Sequence, residues 1–228
     1  MVSYVLRVWL PDRPGALGAV ASRIGAVRGD VVGIEILERG GGRAIDELVV
    51  ELPDDSLLPL LLAEMREVEG VDVEDAHLLQ DGPRDARVDA LETVGMLLEA
   101  TTVQRLLDAL ADHACRDFEA DWAVVLARGT SRLPVSVVGA PPPGAWLSAF
   151  VAGNRWSSAA ESGHEGPDDV AWSPLRSADL ALVVGRSRRA FRVRERRQLA
   201  ALARVADRRT AELSTYDQVF GPCASGRG

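Results

Sequence analysis

The chain has 228 residues, of which 47% are hydrophobic and 26% are charged. This composition is typical of a folded protein with one large or two small domains, and it excludes a chain that is disordered throughout. The two cysteines, Cys115 and Cys223, are too few for a disulfide framework or a four-ligand zinc site. No run approaches the ~20 apolar residues that cross a bilayer, and no apolar run of signal-peptide length follows the first residues. We therefore expect a cytoplasmic protein without a membrane segment, a metal or another cofactor.

The net charge of −8 is unevenly distributed along the sequence. Residues 1–82 contain seven Arg and sixteen Asp or Glu, whereas residues 83–228 contain nineteen Arg and eighteen acidic residues. This step from −9 to +1 indicates two modules. Binding to nucleic acid is not expected for the acidic first module, because phosphate contacts require clustered cations.

The period of the apolar residues predicts six elements in the first eighty residues. In chain order they are the strand Tyr4–Leu10, a helix carrying Leu17 to Val27, the strands Val31–Arg39 and Arg43–Leu52, a helix carrying Leu58 to Val68, and the strand Val71–Leu79. This βαββαβ order predicts a ferredoxin-like α+β fold with an antiparallel sheet and both helices on one face.

The second and third strands are expected to leave an apolar sheet face open to another domain. In the second strand the alternation places three branched side chains on one face: Val32, Ile34 and Ile36. The residues expected to point outward are Val31, Gly33, Leu37 and Val49.

A loop with a distinctive sequence joins the first strand to the first helix. It reads Leu-Pro-Asp-Arg-Pro-Gly-Ala-Leu over residues 10–17. Asp-Arg-Pro-Gly followed by Leu two residues later, at this junction of a βαββαβ unit, resembles the ACT domain family. The resemblance covers Ser3–Gln80 and implies a regulatory domain in which this loop binds a small ligand, typically an amino acid, between two ACT domains.

The resemblance implies the following ligand-binding residues: Asp12, Pro14, Gly15, Ala16, Leu17 and Asp30. The amides of Gly15 to Leu17 lie at a helix N-terminus, where free N–H groups favour a carboxylate. Asp12 is suited to an ammonium group, and Asp30 matches the position of a polar residue from the partner domain. Two alternatives without ligand binding stay open: Asp12 is only a helix cap, and the unit is only a dimerisation module.

The second module follows a polar linker at residues 83–87. Two helices, two strands, a short helix around Trp146, a variable loop at 153–169, two more strands and a long helix are predicted in that order. The sequences Trp172-Ser-Pro-Leu175 and Asp179–Gly185, followed by Phe191, Glu195 and Leu199, resemble a GAF domain. This implies a GAF-like sensor domain with a central antiparallel sheet over residues 88–215, and residues 216–228 are predicted to be a flexible tail.

Catalysis is not expected from the sequence. It contains no Gly-x-Ser-x-Gly elbow, His-Glu-x-x-His pair or phosphate-binding loop. The three histidines (His77, His113 and His164) have no metal-ligand spacing, and His113 with Cys115 and Asp112 point in different directions on one helix. The arginines of the last helix, Arg192 to Arg209, are interpreted as the solvated face of a dimer-forming helix. We predict a non-catalytic homodimer that binds an amino acid and signals to a partner protein, or alternatively a scaffold without a ligand.

Overall fold

The structure is a computed structural model, and it describes residues 1–79, 86–128, 134–153 and 167–220. The chain divides into two compact units, Met1–Asp85 and Ala86–Gly228. Each unit combines helices with an antiparallel sheet, which confirms the predicted α+β class.

The first unit contains six principal elements in the predicted βαββαβ order. They are β1 (Val2–Pro11), α1 (Ala16–Ala26), β2 (Asp30–Gly40), β3 (Arg43–Leu52), α2 (Leu58–Arg66) and β4 (Asp72–Leu78). The strands form one antiparallel sheet in the order β2-β3-β1-β4. β1 therefore lies inside the sheet, and β2 is an edge strand.

The core of the first unit forms between one face of this sheet and both helices. Alternate residues of β1 (Tyr4, Leu6, Val8 and Leu10) are buried there with Val20 and Ile24 of α1 and with Leu61 and Met65 of α2. Each fully buried side chain of this size contributes about 1.5–3 kcal/mol of transfer free energy. The apolar stripes predicted for the two helices are thus the surfaces that fix them on the sheet.

The predicted facing of β2 is correct only in part, because this strand contains two irregularities. Gly33 pairs with Val49 on the face away from the helices, as predicted. Its register against β3 shifts between Val31 and Gly33 and again between Ile36 and Glu38. Val31, expected to point outward, packs against the helix-side core, and Leu37 is buried. The exposed apolar residues of β2 are instead Val32, Ile34 and Ile36. They are exposed because an edge strand lacks a neighbour on one side and extra residues rotate the strand.

The sheet face away from the helices also carries polar contacts. Arg7 of the inner strand β1 is buried there, and its guanidinium contacts the Glu47 carboxylate at 2.7 Å. The indole N–H of Trp9 donates to Glu74 at 2.7 Å. The ion pair lies on the same face as the buried apolar residues Val5 and Ile45.

The second unit contains four helices and four strands among the described residues. They are α3 (Ala86–Glu99), α4 (Val103–Asp117), β5 (Trp122–Ala127), β6 (Pro134–Gly139), α5 (Gly144–Gly153), β7 (Val170–Leu175), β8 (Leu180–Gly185) and α6 (Val193–Phe220). α3 starts inside the segment predicted as a linker, and α6 continues through the first five residues of the predicted tail. The rest of that tail, with Cys223, lies outside the described residues.

The sheet of this unit has apolar residues on both faces. The strand order is β6-β5-β8-β7 and all pairs are antiparallel, as predicted for the central sheet. On one face, Leu110 of α4 and Leu199 of α6 share a core with Val125. On the other, Leu147 of α5 packs with Trp122 and neighbouring residues. This layering agrees with the element order predicted, while membership of the GAF family stays a prediction.

A buried arginine joins the end of β8 to the start of α6. Arg186 is 5% exposed; it donates to the carbonyl of Phe118 at 2.8 Å and to the Glu195 carboxylate at 2.7 Å. Its guanidinium also lies 4.1 Å from the centre of the Phe191 ring. Glu195 in turn accepts from the Arg192 amide at 2.8 Å. Phe191, Glu195 and the buried Leu199 therefore recur at intervals of four because all three face this junction.

Candidate ligand-binding site

The loop between β1 and α1 is held against the turn between β2 and β3. The Asp12 amide donates to the Gly42 carbonyl at 2.9 Å, and the Arg13 amide donates to the Pro11 carbonyl at 2.8 Å. These bonds fix the chain on both sides of the Asp12 side chain. The loop sequence therefore has a defined conformation at one end of the sheet.

The N-terminus of α1 presents unpaired amides at this loop. Gly15 has φ of +89° and precedes the helix, and no side chain caps it. The Ala16 amide, expected to be open, donates to the Arg13 carbonyl at 3.3 Å, while the amides of Gly15 and Leu17 have no hydrogen bond within the described part of the chain. Pro14 lies in the preceding turn rather than in the first helical turn. Two free N–H groups at the positive end of an 11-residue helix favour an anion.

Asp12 has a partner other than the helix. Its carboxylate lies 3.8 Å from the Arg39 guanidinium at the end of β2, with the two side chains 39% and 58% exposed. It does not cap α1, so the interpretation of Asp12 as a helix cap is not what the structure has. An exposed pair of this length contributes about 0–1 kcal/mol, so Asp12 can exchange Arg39 for another cation at little cost.

Asp46 of β3 is a further carboxylate near the loop, and our sequence analysis missed it. It is 3% exposed, and its Oδ1 atom is buried without a hydrogen bond among the described residues. Burial raises the pKa of Asp46; the Arg39 cation opposes this rise and the Asp12 carboxylate adds to it. The signal was present in the sequence, because Asp46 interrupts the buried alternation from Ala44 to Leu52.

Asp30 lies at the opposite end of the sheet from the Asp12 loop. Asp30 pairs with Glu51, whereas Pro11, just before the loop, pairs with Arg43. Eight residues of strand separate these positions on β3, which corresponds to about 26 Å. The predicted site residues between Asp12 and Leu17 lie together in the loop, whereas Asp30 of the same copy is far from them.

His113 and Cys115 of α4 lie in surroundings that shift their pKa values. His113 is buried beside Thr93 with an Nδ1–Oγ1 distance of 3.1 Å, and burial lowers its pKa. Burial raises the pKa of the Cys115 thiol, because it disfavours the charged and reactive thiolate. No group of three metal-ligating side chains occurs among residues that the structure describes.

Trp146 and Trp156 flank the variable loop predicted in the second unit. Trp146 stacks on Phe150 at 5.3 Å between ring centres, which agrees with a packing role. Trp156 and His164 lie outside the described residues. Within the part of the chain that is described, every helix is too short or too polar to cross a membrane.

Comparison with known proteins identifies the first unit. Residues 4–70 match the family model of the ACT domain. No curated protein matches the sequence. Among solved structures, the ACT domain of a GTP pyrophosphokinase from Chlorobium tepidum is similar over 35% of this chain and 100% of that one (18% identity, TM-score 0.28). A formyltetrahydrofolate deformylase from Pseudomonas putida is similar over 41% of this chain and 37% of that one (16% identity, TM-score 0.27). The match of residues 4–70 to the family model makes the first unit ACT-like, and this family implies regulatory binding of small ligands in general.

Proposed function

We propose that the chain is a non-catalytic regulatory protein whose first unit binds an amino acid between two copies. The observation that carries this proposal is the juxtaposition of an accessible Asp12 carboxylate with two unpaired amides at the start of α1. A free amino acid offers the complementary pair of charges a few ångströms apart. The match of residues 4–70 to the ACT family also supports this proposal.

In the proposed complex, the ligand carboxylate accepts hydrogen bonds from the amides of Gly15 and Leu17. The ligand ammonium group binds Asp12 in place of Arg39. Hydrogen bonds to charged groups are stronger than neutral ones, at about 1.5–3 kcal/mol each. Gly15 has no side chain that could block the approach of the ligand to the helix end, and a Cβ there would meet no atom within 4 Å.

The second copy is proposed to dock through the β2 edge. This strand is unpaired on one side among the described strands, and Val32, Ile34 and Ile36 expose 42%, 51% and 37% of their surface. An antiparallel two-fold pairing of two β2 edges brings the start of one strand, Asp30, next to the end of the other. That end leads into the turn that holds the Asp12 loop. Asp30 of the partner copy then completes the binding site.

Ligand binding is proposed to shift an equilibrium between two states of the homodimer. A ligand shifts an equilibrium only through different affinities for its two states, and a site shared between copies gives such a difference. Either the second unit, which we propose to be GAF-like, or a partner protein responds to this change in population.

A scaffold without a ligand is the competing function. The exposed apolar edge of β2 favours it as much as it favours the shared site, because dimerisation alone would cover that edge. The unpaired amides and the exposed Asp12 are what a scaffold does not need.

The discriminating experiment is a thermal-shift panel of the twenty amino acids on the full chain. A ligand at 100 times its Kd adds about 2.7 kcal/mol to the stability of the unit that it binds. The variant Asp12→Ala is expected to lose this shift. The matched control Glu64→Ala removes a comparably exposed ion pair with Arg23, at 2.8 Å between α2 and α1, and should keep it. A flat panel at millimolar concentrations refutes amino-acid binding and leaves the scaffold.

A further inference from the structure

Asp46 is an unusual residue for its position. It faces the helix side of the sheet between Val8 and Ile36, its cross-strand neighbours, where the other β3 residues of that face are apolar. Its buried Oδ1 atom has no hydrogen-bond donor among the residues that the structure describes. A buried acceptor without a donor destabilises a fold. A donor that arrives with a ligand would recover this cost.

The surroundings of Asp46 connect it to the Asp12 loop. Val8 lies four residues before Asp12 on β1, and Ile36 lies three residues before Arg39 on β2. Both Asp12 and Arg39 act electrostatically on the Asp46 carboxyl group. The Arg39 guanidinium lies 3.8 Å from the Asp12 carboxylate and also favours the ionised form of Asp46. Its side chain is 58% exposed, so it can move aside.

We propose that Asp46 is a specificity-determining residue that selects an amino acid with a cationic side chain, of the lysine, ornithine or arginine class. This proposal rests on the amino-acid site described above. The α-ammonium group of the ligand binds Asp12 in place of Arg39, and its side-chain cation donates to the Oδ1 atom of Asp46.

The charge balance of the site favours this class of ligand. Four carboxylates (Asp12, Asp46, Glu69 and the Asp30 proposed from the partner copy) stand against three arginines (Arg13, Arg39 and Arg43) and the partial positive charge of the α1 N-terminus. A zwitterion without a charged side chain leaves this excess of negative charge in place, and an acidic amino acid increases it. A dibasic amino acid reduces it by one charge.

The shape of the surface fits a long aliphatic stem. Ile36, directly opposite Asp46, is 37% exposed and offers apolar surface beside a buried carboxylate. Lysine and arginine side chains cover apolar surface with their methylene groups while the charged end binds elsewhere. The distance between Asp12 and Asp46 would then be spanned by the ligand itself.

Pairs of matched ligands test the inference on the full chain by calorimetric titration. Lysine is compared with norleucine and arginine with citrulline, since each pair differs mainly in the side-chain charge. The same titrations are made with Asp46→Asn, whose folding is checked by its thermal transition, and with Asp12→Ala. Should Asp46→Asn not fold, the ligand pairs on the wild type still decide.

We expect the wild type to prefer the charged member of a pair by about tenfold or more, as for one hydrogen bond to a charged group. Asp46→Asn should lose most of this preference, whereas Asp12→Ala should lose binding of every amino acid. A neutral or acidic amino acid that binds most tightly, and loses binding in Asp12→Ala, overturns the role of Asp46 but keeps the amino-acid site. Unchanged preference in Asp46→Asn also overturns it. No binding of any amino acid overturns both proposals.

Discussion

Replacing Asp46 by Val should stabilise the first unit in the absence of ligand. The substitution removes a buried oxygen without a hydrogen bond and adds a β-branched side chain to the interior of β3. Removal of the unsatisfied group is worth about 1–3 kcal/mol. For a unit of this size each kcal/mol raises the melting temperature by roughly 4–8 °C.

The gain should depend on pH with a definite sign. Because the pKa of Asp46 is raised in the folded chain, the folded state holds the proton more tightly than the unfolded state. In the wild type, the Asp46 carboxyl group therefore destabilises the fold least below its ordinary pKa of 3.8. The wild type loses stability as the pH rises through the pKa that Asp46 has in the folded state. The advantage of Asp46→Val should be larger at pH 7 than at pH 4.

Amide hydrogen exchange in increasing denaturant measures the free energy of opening of the first unit alone, through peptides of β1 and β3. The exposed pair of Asp12 supplies the control, since Asp12→Ala should change the free energy of opening by no more than about 1 kcal/mol. If Asp46→Val lowers the free energy of opening at pH 7, the carboxyl group has a stabilising partner and the reasoning about its cost is refuted.

Three further predictions concern single substitutions. Gly15→Ala should destabilise the first unit by about 1 kcal/mol in thermal unfolding, because φ is +89° although space for a Cβ is available; an unchanged transition would show that the turn relaxes. Arg186→Leu should cost about 3–5 kcal/mol in denaturant unfolding of the second unit, since it removes the Arg186 guanidinium from the buried Glu195 carboxylate; the double variant with Glu195→Leu should recover part of that loss. The lowered pKa of His113 predicts that the second unit loses stability as the pH falls below the ordinary value of 6.5, and that His113→Phe flattens this dependence in unfolding titrations at pH 7 and pH 5.5.

The fold of the first unit could be predicted from the sequence because its signals are local. Apolar alternation in β1, the stripe from Leu17 to Val27 and the break at Pro11 to Gly15 each depend on neighbours within about ten residues. The facing of β2 could not be predicted in the same way. Its two irregularities depend on the register against β3, and the period of 2 cannot reveal an inserted residue.

The residues of the candidate site also differ in whether local sequence could predict them. Asp12, Gly15 and Leu17 could be named from one contiguous motif at a strand–helix junction. The contact between Asp12 and Arg39 could not, because it requires the β2–β3 turn to fold back onto the loop. Asp46 could have been found from its place in a buried alternation, but its proximity to Asp12 depends on the strand order.

The most direct test of the shared site is complementation between two inactive variants. Asp12→Ala and Asp30→Ala are each titrated alone with the amino acid that the wild type binds, and then as an equimolar mixture after subunit exchange. In a two-fold dimer with sites between copies, about half of the mixed population is heterodimeric, and each heterodimer has one intact site. We expect no binding by either variant alone and recovery of about one quarter of the wild-type sites in the mixture. Binding by Asp30→Ala alone, or no recovery in the mixture, would contradict a site built from two copies.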